Sequence, residues 1–273
     1  MLKTLARHAG SHGEVLVGSI DGPVRFGFKK RTGGVSRAPH ASLNLGSHVG
    51  DDPAAVEENR RRTLDLVGAQ ADAARLLVPN QVHGDRIAVV SDASDSALVA
   101  VRAQIGEGAD AIVCTVPGVP VLLCFADCVP VILTCASGFA VVHSGWRGTY
   151  ARIVGKAARA LSEATGVPTS QVSAYIGPHI LGDEYEVSPD LMHTFSLQFD
   201  NILSDGSRML DFSRAICQSL TEVGVSPCEI QDTWLSTMRL ADRFYSYRRE
   251  HGTCGRHGAI AYLAREPRDS SAC

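Results

Sequence analysis

Apolar positions along the chain fall into two rhythms. Between 119 and 142 they are almost unbroken, and the runs 119–125, 129–134 and 139–142 read as strands buried on both faces. Pro130, near the start of the second run, points to an edge position or a strand start. The segments 14–20 and 24–29 are rich in β-branched residues and flank the turn Asp21-Gly22-Pro23, which predicts two further strands. Short strands are expected at 76–78 and 86–90, bracketing Asn80-Gln81-Val82-His83-Gly84, and later at 172–176 and 259–263. The helical rhythm governs 54–66, where Asp52 is placed to cap, Pro53 suits the first turn and Gly68 ends the pattern. Further helices are expected at 150–161, closing near Gly166, and at 189–197 and 212–223. The stretch 31–50 is a loop, 91–108 is polar and weakly patterned, and the polar tail 265–273 is expected to fray. Strands and helices mix without strict alternation and no repeat recurs. That pattern predicts an α+β fold with mixed sheets in a single compact domain.

Composition narrows the class. The chain has 273 residues, 45% of them apolar and 20% charged, so it can bury a substantial core. A net charge of −3 leaves no electrostatic footprint for nucleic acid or an anionic membrane. Only four of the 26 cations are lysines, an excess of arginine that we assign to codon bias except at particular positions. Eight cysteines are too sparse for a disulfide-stapled domain of this length. No signal-like apolar segment opens the sequence and no run of 18 apolar residues occurs, so a cytoplasmic protein with reduced thiols is expected. A special cysteine would then be a ligand or a nucleophile.

Three side chains sit where an apolar run meets a turn: His83, Cys128 and His143. Two imidazoles and a thiolate suit one zinc ion, and three protein ligands leave a fourth position open, as in catalytic sites. The same residues fit a second chemistry, in which Cys128 beside Asp127 is a thiolate nucleophile and His143 its base. Cys114, Cys124 and Cys135 lie in apolar runs and are expected to pack the core. In Gly145-Trp146-Arg147-Gly148 a strand gives way to a helix, so Arg147 is a candidate for phosphate. Arg248, Arg249, Arg256 and His257 form a second cationic group, and Asn44 is a polar residue set between two leucines.

Several segments carry a family resemblance. They are Thr32-Gly33-Gly34-Val35-Ser36, Ser42-Leu43-Asn44-Leu45-Gly46, Asn80-Gln81-Val82-His83-Gly84, Ala126-Asp127-Cys128-Val129-Pro130, His143-Ser144-Gly145-Trp146-Arg147-Gly148 and Phe244-Tyr245-Ser246-Tyr247-Arg248-Arg249, in collinear order. The chain resembles the laccase-domain family, also called multicopper polyphenol oxidase-like or YfiH-like, whose members are zinc-dependent purine nucleoside phosphorylases. The resemblance implies a four-layer α/β/β/α sandwich over residues 1–264, with 265–273 as a disordered tail. It implies one zinc on His83, Cys128 and His143. It also implies phosphorolysis of adenosine, inosine and methylthioadenosine to base and pentose 1-phosphate, with adenosine deamination as a side activity. On that reading Arg147 and Arg256 meet phosphate, Asn44 positions the nucleoside, and Asp127 takes part in catalysis or orients a ligand. The sequence departs from the family pattern at Ser144, Ser236 and Cys254. Two alternatives stay open: a Cys128–His143 hydrolase or deamidase, and an enzyme that edits peptidoglycan precursors. A four-copper oxidase is excluded by ligand count, because the chain holds ten histidines and no His-x-His pair.

Overall fold

The unbroken apolar runs form the middle of a two-sheet sandwich. In this computed structural model residues 5–10, 13–19, 22–200, 202 and 208–265 are described. The tail beyond Arg265, with Cys273, lies outside them, as does His12. The strands are β1 (Ala6–Gly10), β2 (Gly13–Ser19), β3 (Val24–Lys29), β4 (Ile87–Val90), β5 (Ala111–Cys114), β6 (Val121–Phe125), β7 (Val129–Cys135), β8 (Gly138–Ser144), β9 (Ser173–Ile176), β10 (Ile230–Asp232) and β11 (His257–Leu263). The helices are α1 (Pro53–Asp65), α2 (Asp95–Glu107), α3 (Trp146–Tyr150), α4 (Ile153–Thr165), α5 (Pro189–Ser196) and α6 (Phe212–Glu222). One sheet runs β1-β2-β3-β11-β6 and the other β10-β9-β7-β8-β5-β4. The second is mixed: β4 with β5 and β9 with β10 are parallel, while its other pairs are antiparallel.

Strand periodicity builds the layers. In β6, Val121, Leu123 and Phe125 face the other sheet, whereas Leu122 and Cys124 face Leu43, Leu45 and Leu64, the last from α1. In β7 and β8, Ile132, Phe139 and Val141 fill the space between the sheets. Their neighbours Val131, Leu133, Ala140 and Val142 pack on α4 and α6 through Val154, Ala158, Ile216 and Leu220. β6, β7 and β8 are therefore covered on both faces, giving the four layers α/β/β/α in one domain. That explains why the central runs show no polar alternation.

Helix signals were largely readable. Asp52 caps α1, its side chain accepting from Ala54 N at 3.0 Å, and Pro53 occupies the first turn. Pro130, the second residue of β7, marks a strand start rather than an edge, since β7 lies between β8 and β9. Three expectations need correction. The weakly patterned segment contains α2, capped by Ser94. The helix expected at 150–161 is two helices, broken at Arg152, whose φ of +58° is left-handed. The strand expected at 76–78 reduces to one bridge, Leu77 to Val121.

Candidate metal centre

The site gathers at one end of the second sheet because of strand direction. His143 is the penultimate residue of β8 and pairs with Pro130 in antiparallel β7, so Cys128, just before β7, lies beside it. Asp110 precedes β5, and its carbonyl accepts from His143 N at 2.7 Å. His83 lies in the loop ahead of β4, which runs parallel to β5. The ligand atoms of His83, Cys128 and His143 lie within 4.8 Å of one another, and among the described residues this is the one such group of three. The two imidazoles meet edge-on with ring centroids 4.8 Å apart.

Electrostatics favours a deprotonated sulfur. Burial alone would push the Cys128 thiol up, but the His143 and His83 imidazoles outweigh it and pull the thiol well below its usual range. Burial opposes the charge on His143, yet Cys128 and Asp110 raise its pKa. Asp110 is fully buried, and its hydrogen bonds, first from His143, hold its carboxyl below the usual range despite that burial. Gly145 supplies the space. A Cβ there would sit 3.1 Å from His83 Cδ2 and 3.4 Å from Cys128 Sγ, inside the cradle formed by the three donors. A soft thiolate, two imidazoles and a cleared hollow fit one zinc ion with an open position.

The centre opens into a cavity of about 690 Å³. Its walls carry Arg147, Arg248 and Arg256, and the rings of Trp146, Tyr185 and Tyr247. Arg147 is exposed, lies 4.4 Å from the Trp146 ring and makes no ion pair among the described residues. Arg256 Nη1 donates to the carbonyls of Cys254 and Gly255, at 2.9 Å each. Arg248 lies over the Tyr185 ring.

Two expected site residues are engaged by hydrogen bonds of their own. Asn44 does not line the cavity. It is fully buried, with Nδ2 donating to Gly46 O and Asp51, while Oδ1 accepts from Gly46 N and from Arg256 N at 2.8 Å. Asp127 lines the cavity, but both its oxygens are engaged: Oδ1 by Thr237 Oγ1 and Oδ2 by Arg248 N, each at 2.7 Å. It therefore ties the turn before β7 to the 244–250 segment. His257, grouped with the cations from sequence, is buried in β11 and is not among the residues that line the cavity. Cys124, expected as core filler, also borders the cavity.

The departures from the family pattern sit beside the site. Ser144 pairs with Thr149 at 2.8 Å, Ser236 donates to Glu184, and the Cys254 sulfur meets Arg256 Nη1. Sequence reasoning missed Asp110, His48, Trp146 and Tyr185. Only Asp110 carried a signal, as a charged residue abutting the wholly apolar β5.

Comparison with known proteins follows the same lines. Residues 25–264 match the family described as multi-copper polyphenol oxidoreductase laccase. A purine nucleoside phosphorylase of Corynebacterium glutamicum is 33% identical over 255 residues, covering 89% of this chain and 96% of that protein. One from Streptomyces coelicolor is 36% identical over 243 residues, with 87% and 95% covered. The crystal structure of YlmD from Geobacillus stearothermophilus aligns with a TM-score of 0.82 at 28% identity, over 96% of this chain and 100% of its own. The hypothetical protein YfiH of Bacillus licheniformis aligns with a TM-score of 0.83 at 26% identity, over 94% and 98%. With its fold, its donor cluster and its sequence in agreement, this chain belongs to the multi-copper polyphenol oxidoreductase laccase family.

Proposed function

We propose that the protein is a zinc-dependent purine nucleoside phosphorylase. On this reading it cleaves adenosine, inosine and methylthioadenosine with phosphate to base and pentose 1-phosphate, and deaminates adenosine at the same centre. One juxtaposition carries the reading: a His-Cys-His donor set opens into a cavity that also bears arginines and aromatic rings. The relatives named purine nucleoside phosphorylase support it. So does the cavity volume, which falls within the range of about 300–1,000 Å³ usual for small-molecule sites.

His83, Cys128 and His143 would hold the zinc ion, which would supply a Lewis acid. Arg147 binds phosphate, its guanidinium free of competing carboxylates among the described residues and braced by Trp146. Arg256 offers a second cation, held at the wall by the 254–255 carbonyls. Asn44 acts on Arg256 through its backbone rather than on the nucleoside, and Asp127 positions the turn that carries Cys128. Tyr247, half exposed at the rim, offers a face on which a purine stacks. The nucleophile is then a phosphate oxygen. The bond it forms to C1′ replaces the C–N bond to the base, the base leaves with the proton that hydrogen phosphate gives up, and the arginines bind the charge that remains on the phosphate.

A multicopper oxidase needs more ligands than this centre has, since only one three-donor group occurs among the described residues. Nucleosides, phosphate and free cysteines suit a cytoplasmic enzyme. Among the described residues no helix is long and apolar enough to cross a membrane.

A second reading has one observation in its favour. Cys128, His143 and Asp110 stand in thiol–imidazole–carboxylate order, as a cysteine hydrolase requires. It gives His83 no task, although His83 brings a third donor to the same point. The test is metal analysis with an assay of adenosine and inosine for ribose 1-phosphate. Product should form only with phosphate, vanish on chelation and return with zinc. A zinc-free protein inactivated by thiol alkylation would favour the hydrolase, and no turnover on any nucleoside would overturn the phosphorylase.

A further inference from the structure

Asp110 has no solvent exposure, and its two oxygens accept four hydrogen bonds. Oδ1 accepts from His143 Nδ1 at 2.8 Å and from His83 N at 3.0 Å. Oδ2 accepts from Gly84 N at 2.7 Å and from Val82 N at 3.3 Å. Every donor belongs to, or adjoins, one of the two imidazole ligands. An ionised carboxylate only accepts, so His143 carries its proton on Nδ1 and presents the Nε2 lone pair to the centre. On the other side, three successive N–H groups wrap the carboxylate and hold His83 at a φ of +59°, a backbone that residues with a β-carbon adopt uncommonly.

We propose that Asp110 is the positioning residue of the centre, one carboxylate that sets the tautomer of His143 and the backbone of His83 together. This rests on the reading of His83, Cys128 and His143 as a metal site, and adds a residue that touches no ligand of the metal's open position. The two imidazoles come from segments 60 residues apart in sequence, and Asp110 is the group they share. An asparagine cannot replace it. If its amide nitrogen faces residues 82–84, donors oppose donors. Turned round, the amide donates to His143 Nδ1 and drives the imidazole proton onto Nε2, the nitrogen left for metal.

The test compares full-length wild type with Asp110→Asn, each stripped and titrated with zinc against a chromophoric chelator, and each examined by cobalt(II) absorption. Wild type should bind one zinc ion. Asp110→Asn should keep its circular dichroism spectrum, bind zinc about 10- to 100-fold more weakly and show an altered cobalt spectrum. Equal affinity and identical spectra would overturn the role of Asp110 and leave the metal site standing. Failure of wild type itself to bind zinc would overturn the metal reading. Should Asp110→Asn not fold, NMR of wild type loaded with cadmium-113 decides the matter. Coupling to both Hδ2 and Hε1 of His143 marks ligation through Nε2, as expected, whereas coupling to Hε1 alone marks Nδ1 and overturns the proposal.

Discussion

The floor and the rim of the cavity are built on opposite principles. On the floor His143 is 3% exposed and Asp110 is fully buried, and the Asp110 carboxylate, with all four of its bonds to His143 and the 82–84 backbone, locks the imidazoles in place. The rim has exposed Arg147, Tyr247 at 54% exposure, and arginines braced by aromatic faces rather than by carboxylates. Two strand ends and one loop, interlocked by hydrogen bonds, hold the three donors at one point, as a metal site would demand. Exposed side chains at the mouth adapt to a ligand that comes and goes. The difference teaches that chemistry and substrate choice are separable here, and single substitutions should separate them.

The largest effect is expected on the floor. Gly145→Val fills the hollow between the donors, where even a Cβ lies 3.1 Å from His83. Zinc affinity should fall by more than about 100-fold, beyond the range of an outer-sphere change, and phosphorolysis should vanish. The fold itself should lose only about 1–3 kcal/mol. Chelator titration and denaturant melts read both, and undiminished zinc affinity would break the picture of a floor without slack. A smaller effect is expected on the rim. Arg147→Ala should raise the KM for phosphate about 10- to 100-fold while zinc content stays at wild-type level. Initial rates over a phosphate series decide this, and unchanged phosphate kinetics would remove Arg147 from the site.

The smallest effect concerns the boundary, where exposed rim turns into buried wall between Arg256 and His257. Burial, with help from the charges of Arg256 and Arg31, pushes His257 down to about 3, while the unfolded chain titrates near 6.5. Its Nδ1 accepts from Tyr245 N at 3.3 Å, as an unprotonated ring nitrogen does. Because the folded pKa is depressed, the unfolded state binds the extra proton between those values. Stability is thus intact above pH 6.5 and falls on acidification by up to about 1.4 kcal/mol per unit. His257→Leu should lose less stability between pH 7 and pH 5 than wild type does. Parallel declines in urea midpoint would show that His257 is not held neutral.

Legibility in the sequence tracked burial. β6, β7 and β8 were readable because strands covered on both faces have no polar positions to interrupt the run. The three donors were readable because each stands where such a run stops. α2 was not, since only Leu98 and Ile105 are buried on it and its other faces carry no stripe. The break between α3 and α4 hides in Arg152, a residue type that gives no warning of a left-handed backbone. Asn44 and Asp127 were polar residues in the right segments, yet nothing in a linear sequence reveals that backbone and side-chain groups elsewhere consume their hydrogen bonds. Asp110 shows the converse, a lone acid whose task appears only when the ends of β5 and β8 meet.

Gln81 gives the loop that carries His83 a second duty. Its side-chain amide donates to Cys124 O and accepts from Cys124 N, both at 2.8 Å, while Leu77 O accepts from Leu122 N at 3.0 Å. β6 is the outer strand of its sheet, so these contacts occupy backbone groups that another chain would otherwise pair with. The segment that carries His83 is also the guard of an open sheet edge. Damage to this loop therefore threatens solubility as well as catalysis, and Gln81→Ala should bring self-association before it brings unfolding.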